Sequence, residues 1–145
     1  MYLTADDLVT VTAFAERSSG ALLAELRTAG EVIELDGGSV VDKASLMARI
    51  GADVPVPDNA TPTGWDVLSD ALWSALATYE SDSVFFVWHR ADVMMTGALN
   101  DFLIGLTVLI NLSRSVETTE TGFPRPMSFR IVLLGESPAF GPFPG

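Results

Sequence analysis

Residues 84–88 read Val84-Phe85-Phe86-Val87-Trp88, five apolar side chains in succession. A strand with one wet face alternates apolar and polar residues, so an unbroken run of this length is the pattern of a strand covered on both faces. Such coverage comes from helices reached by crossover connections, and the flanking sequence supplies them. Upstream, Trp65, Leu68, Leu72 and Leu76 form one stripe at helical spacing, with Ala75 beside it. This predicts a helix from Pro62 to Thr78, with Pro62 in its first turn and Thr61 as its cap. Downstream, residues 97–113 predict a last helix, and Phe129 to Leu134 a closing strand.

Nearer the N-terminus the same alternation of periods recurs. Ser18 and Ser19 offer an N-cap to a helix striped by Leu22, Leu23 and Leu26, which Gly30 ends as a left-handed cap. Val32, Ile33 and Leu35 make a short strand that stops at the turn Asp36-Gly37-Gly38. Asp42 caps a second helix carrying Leu46, Met47 and Ile50, and residues 53–63, with three prolines and no period, read as a loop. The segment Asp7 to Ala15 has two readings. Val9, Val11 and Ala13 alternate with Thr10 and Thr12 as in a strand, whereas Thr4-Ala5-Asp6-Asp7 has the form of a capping box opening a helix. The alternation favours the strand. The expected class is α/β: a small, mainly parallel sheet of three to four strands, packed with helices through right-handed crossovers. It forms one domain over residues 1–145, with an N-terminal extension at 1–18 and a Gly/Pro-rich tail at 136–145.

Composition narrows the chemistry. At 145 residues, 48% of them apolar, the chain can bury a core without staples. The absence of cysteine excludes disulfides, thiol nucleophiles and Cys-based zinc sites, and the single histidine, His89, cannot build a His-rich metal site alone. A net charge of −11 argues against nucleic-acid binding, which needs clustered Lys and Arg, and favours a cationic partner. The acidic start, Met1 to Asp7, lacks the form of a signal peptide, and the run Phe102 to Ile110 is far short of the roughly 18 residues of a membrane helix. A cytoplasmic protein with no cofactor is expected.

The charges are unevenly placed. Between Ile50 and His89 there is no Lys or Arg, but there are six acids: Asp53, Asp58, Asp66, Asp70, Glu80 and Asp82. Asp66 and Asp70 sit four apart on the long helix, on one face, where like charges cost about 0.2–0.5 kcal/mol. Acids in a first helical turn gain roughly 0.3–1 kcal/mol from its dipole, and Asp66 can form a capping box with Thr63, so helix stability alone is one reading. A negative patch for a cationic ligand is the second, and a general acid/base pair, which no second constellation supports, is the third.

The stretch Gly64-Trp65-Asp66-Val67-Leu68-Ser69-Asp70-Ala71-Leu72 resembles the Asn-Trp-Asp-Ala-Leu-x-Asp-x-Leu motif of barstar-like proteins, intracellular inhibitors of barnase-type ribonucleases. Ala21 to Leu26 followed by Val32 to Gly37 is similar to the helix and strand that open many bacterial members. Asp42-Lys43-Ala44-Ser45-Leu46 resembles the helix start that follows. Val84 to Trp88 looks like the family's central strand, and Ile131 to Leu134 like its last. The likeness runs in order over about residues 19–135. It implies a barstar-like fold and an inhibitor or immunity protein, not an enzyme, that binds a basic ribonuclease or other cationic protein one-to-one. By the same resemblance, Asp66 and Asp70 take the place of RNA phosphates in the nuclease site, with Thr63, Gly64, Ser69 and Trp73 around them.

The chain also departs from the family pattern. Asn59-Ala60-Thr61-Pro62-Thr63 stands where aromatic residues and a glycine are usual, and Gly64 where Asn is usual. Glu117 and Glu120 lie about where the family supplies further acids. A second register, Asp70-Ala71-Leu72-Trp73, makes Asp70 the first acid and Ser74 the second, but puts polar Ser69 at an apolar position. The alternative function is a barstar-fold interaction or regulatory domain whose partner is not a nuclease. Elsewhere, His89-Arg90 lacks a matching nucleophile motif and reads as a surface turn. Trp65 and Trp88 read as core or core edge, and Met94 and Met95 as packing residues at a helix entrance. Gly37-Gly38 lacks the spacing of a phosphate-binding loop.

Overall fold

The computed structural model describes residues 10–138 and 140–142, so Thr4 to Asp7 and Val9 lie outside the described residues. Four strands, β1 (Val11–Ala15), β2 (Glu31–Asp36), β3 (Ser83–His89) and β4 (Ser128–Gly135), form one all-parallel sheet in the order β1-β4-β3-β2. Five α-helices accompany them: α1 (Ser19–Ala29), α2 (Lys43–Asp53), α3 (Trp65–Ala77), α4 (Ala91–Gly97) and α5 (Leu99–Val116). The class is α/β, as the apolar run at 84–88 requires.

Val84 to Trp88 have no accessible surface. Their side chains part to opposite faces, because successive residues of a strand point oppositely. Phe85 and Val87 join Val132 and Leu134 under Leu22, Leu23 and Leu26 of α1. Val84, Phe86 and Trp88 join Ile131 and Leu133 in the larger core under α2, α3 and α5. Leu22 and Leu26 are fully buried, each contributing roughly 1.5–3 kcal/mol. Ser113 of α5, the one buried polar residue there, donates its hydroxyl to the Phe129 carbonyl of β4 at 2.7 Å.

Strand β1 occupies the edge beside β4, outside the span of the family resemblance. The tail returns to it: the Ala15 N–H donates to the Gly141 carbonyl at 2.6 Å. Phe140, 5% exposed, lies over Gly135, where a Cβ would stand 2.7 Å from the Phe140 ring. The edge is thereby partly covered.

Several boundaries differ from the sequence reading. Helix α3 begins at Trp65, not Pro62, because Gly64 is fully extended (φ −176°, ψ 179°). The segment before it lies against α2: Pro62 is buried, and a Cβ on Gly51 would come 3.0 Å from Thr61 Cα. No side chain caps α3, so neither the Thr61 cap nor the Thr63–Asp66 box forms. Within the loop, Pro57–Asn59 form one 3-10 turn. The last helix begins at Leu99 and runs on to Val116, and a separate short helix, α4, precedes it, the chain breaking at Ala98 (φ −151°, ψ 67°). Met94 and Met95 belong to α4, Met94 with no exposure. The Asp42 cap forms as expected, reciprocally: the Ser45 N–H donates to Asp42 Oδ1 at 2.8 Å and the Asp42 N–H to Ser45 Oγ at 3.1 Å.

Gly30 follows α1 but is not left-handed; its backbone is extended (φ 174°). Its role is close approach, since a Cβ there would collide with the Ser83 carbonyl oxygen at the start of β3. Gly30→Ala is therefore expected to lower the unfolding free energy by about 1–3 kcal/mol. Gly20→Ala, within α1 and with nothing inside 4 Å, is expected to be neutral or to add up to about 1 kcal/mol. Urea unfolding of the two variants checks the contrast; equal effects would refute it.

Candidate functional site

Helix α3 turns Leu68, Leu72, Ala75 and Leu76 into the core, and the half-buried Trp65 packs against it. Trp65 reaches α5, where a Cβ on Gly105 would stand 3.4 Å from its ring. This phase leaves Asp66, Asp70 and Ser74 on the outer face, exposed, with Val67 retaining 46% of its surface. Ser69 and Trp73 are half-buried along one border of that face, and Trp73 stacks edge-to-face on Phe123 at 5.0 Å. Thr63 is exposed and Gly64 half-buried at its N-terminal end.

Of the six acids between Ile50 and His89, two are matched by cations from outside that stretch. Asp53 pairs with Arg49 at 2.6 Å and accepts the Asp36 N–H at 2.8 Å; Asp82 faces Arg125 at 3.7 Å. Among the described residues, no ion pair engages Asp58, Asp66, Asp70 or Glu80. Asp66 lies in the first turn, where the helix dipole favours it; Asp70, one turn on, gains little from that source. Asp58 and Asn59, upstream, both have positive φ (58° and 51°), a conformation that Asp and Asn tolerate best among residues with a Cβ. Lys43, read in the sequence only as part of a helix start, brings its ammonium to 5.3 Å from the centre of the Trp65 ring. A cleft of about 530 Å³ beside it is lined by Asp42, Lys43, Thr61, Pro62, Thr63 and Asp101 among others, and neither Asp66 nor Asp70 lines it. The two carboxylates share one exposed face. What they offer is anionic oxygens to guanidinium or ammonium groups of a partner.

The second charged constellation lies at the carboxyl ends of the strands and was not foreseen. His89-Arg90 is no plain surface turn. Protonated, His89 donates from Nδ1 to Glu16 Oε2 at 2.8 Å and from Nε2 to Glu34 Oε1 at 2.9 Å. The Arg90 N–H, in left-handed backbone (φ 51°), donates to Glu16 Oε1 at 2.8 Å, and Arg27 pairs with Glu34 at 2.9 Å. The Arg90 side chain reaches Asp92 at 3.3 Å and Glu136 at 3.7 Å. Each of the four carboxylates here lies within 4 Å of one of three cations, so the cluster ties the strand ends together. Among the described residues, no group of three or more ligating side chains could hold a metal ion. No helix among them is long and apolar enough to cross a membrane. Compared with models of known protein families and with curated proteins, the chain matches none.

Burial by itself would lower the His89 pKa, but the hydrogen bonds and charges of Glu16 and Glu34 together outweigh it and hold the value above 6.5. The cation is thus favoured in the folded state, and its contribution is complete below pH 6.5 and lost as pH rises through the raised folded value. His89→Gln is accordingly expected to cost stability at pH 6 and progressively less toward pH 9. Urea midpoints across that range check this; a pH-independent difference would exclude the linkage.

Proposed function

We propose that this chain is a barstar-like inhibitor or immunity protein of the cytoplasm. It binds the cationic active site of a barnase-type ribonuclease one-to-one through α3 and the 58–64 loop. The observation that carries the reading is that Asp66 and Asp70 stand exposed on one face of α3 with no ion-pair partner among the described residues, while the acids at the strand ends lie beside cations. A nuclease site built to hold RNA phosphates is cationic, and paired carboxylates on a rigid helix complement it. The inward phase of Trp65, Leu68 and Leu72 supports the register that makes Asp66 and Asp70 the motif acids. The protein acts by occlusion, with no catalytic step and no cofactor, and takes neither nucleic acid nor membrane as partner.

One observation favours the second reading, a domain for a cationic partner that is not a nuclease. Buried Pro62 and the contact of Thr61 on Gly51 hold the loop down against α2, where a plug for a deep site would stand clear.

Titration into a barnase-type ribonuclease, following RNA cleavage at about 0.15 M salt and below it, separates the two. Stoichiometric inhibition that tightens at low salt is expected, and Asp70→Ala is expected to dissociate at least about tenfold faster, its cationic partner being left unpaired. Undiminished affinity would remove Asp70 from the contact. Absence of inhibition would move the acidic face to the other class of partner.

A further inference from the structure

Lys43 is the only lysine of the chain. Arg17, Lys43 and Arg114 have no ion pair among the described residues; the two arginines are exposed, whereas Lys43 is half-buried. Its ammonium rests over the Trp65 ring, 5.3 Å from the centre, which positions the charge without neutralising it. Asp101, in the first turn of α5, is half-buried too, and no ion pair engages it among the described residues. The unpaired acids of α3, by contrast, are exposed. Lys43 and Asp101 both line the cleft of about 530 Å³ between the start of α2, the 61–63 segment and the start of α5, yet they do not pair across it. A half-buried charge has lost part of its hydration, and a counter-charge there acts through a lower dielectric than at an exposed site.

We propose that this cleft binds a small zwitterion, a free α-amino acid with an apolar side chain. Only a ligand of both signs answers both charges. An anion such as phosphate meets Lys43 but also faces Asp101 and Asp42, and a simple cation leaves Lys43 unanswered. An α-amino acid carries its carboxylate and its ammonium on one carbon, so both fit within one cleft. The carboxylate goes to Lys43, where the exposed hydroxyls of Thr61 and Thr63 are further donors. The ammonium goes to Asp101. Asp42 stands on the same rim, its Oδ1 already accepting from the Ser45 N–H at 2.8 Å and hydroxyl at 2.7 Å. Buried Met47 and Pro62 give the ligand's side chain an apolar floor, and the volume suits a small molecule. Thr61, Thr63 and Asp42 are exposed at the rim, so the ligand is only partly enclosed and binding is in the millimolar range. Neither Asp66 nor Asp70 lines the cleft, so the proposal is independent of the nuclease reading.

Titration of the full chain with L-leucine, L-methionine or L-phenylalanine, each to about 20 mM, tests it through the amide and indole N–H chemical shifts. Saturable shifts are expected at the Trp65 indole and at the amides of Lys43, Thr63 and Asp101, while the indoles of Trp73 and Trp88 stay in place. Leucinamide, which lacks the carboxylate, and N-acetyl-leucine, which lacks the ammonium, are each expected to bind at least about tenfold more weakly than leucine, one protein charge being left unanswered. Lys43→Met and Asp101→Asn are each expected to weaken leucine by about the same factor. The two analogues on the unaltered chain keep the test decisive should a variant not fold. No saturable shift with any of the three amino acids would overturn the proposal. So would shifts centred on other residues, analogues that bind as well as leucine, or folded variants that bind it undiminished. Equal shifts from sodium acetate would make the cleft a site for simple anions and overturn it as well.

Discussion

The fold rests on the removal of Val84 to Trp88 from water on both faces. A five-residue run with no polar side cannot lie at the surface of a two-layer fold, so the sheet needs a helical layer on each side. Helix α1 supplies one, between β1 and β2 at opposite edges of the sheet. Helices α2, α3 and α5 supply the other. The outward face of α3 is what remains after its inner stripe has satisfied that demand. The acidic face is therefore positioned by a burial to which it does not contribute.

Electrostatics divides the acids of the chain into two kinds by proximity alone. At the strand ends, Glu16, Glu34, Asp92 and Glu136 surround His89, Arg27 and Arg90, and the network joins segments up to 74 positions apart in the sequence. There the carboxylates stabilise the fold at the edge of a dry core, with exposure low enough for His89 to sense them. On α3, Asp66 and Asp70 are exposed and have no ion-pair partner among the described residues. Helix-dipole stabilisation accounts for Asp66 in the first turn but not for Asp70 in the second, and this residue of unexplained charge makes the face of interest.

Much of the fold was legible because it is written in periods of two and 3.6. The unbroken run at 84–88, the leucine stripe at 22–26 and the Asp42 cap each depend on near neighbours, and each appears where the sequence put it. Boundaries failed where a distant backbone intervened. Gly30 is extended because β3 presses on it, and α3 starts late because Thr61 and Pro62 are held against α2. The break at Ala98, which divides α4 from α5, follows Gly97, a helix-weakening residue that the sequence reading placed inside the last helix.

The sequence by itself determined the α/β class, the inward stripe of α3 and hence the shared outer face of Asp66 and Asp70, since helical phase is local geometry. Only the tertiary structure decided which carboxylates are neutralised. Arg49 meets Asp53 by the i,i+4 spacing of one helix, but Arg125 reaches back to Asp82, Lys43 arrives over Trp65, and Glu16 and Glu34 converge on His89 across three strands. Charges interact through space and not along the chain. A count of Lys and Arg between two positions therefore says how a segment is charged, and the fold alone says which of its charges are left to meet a partner.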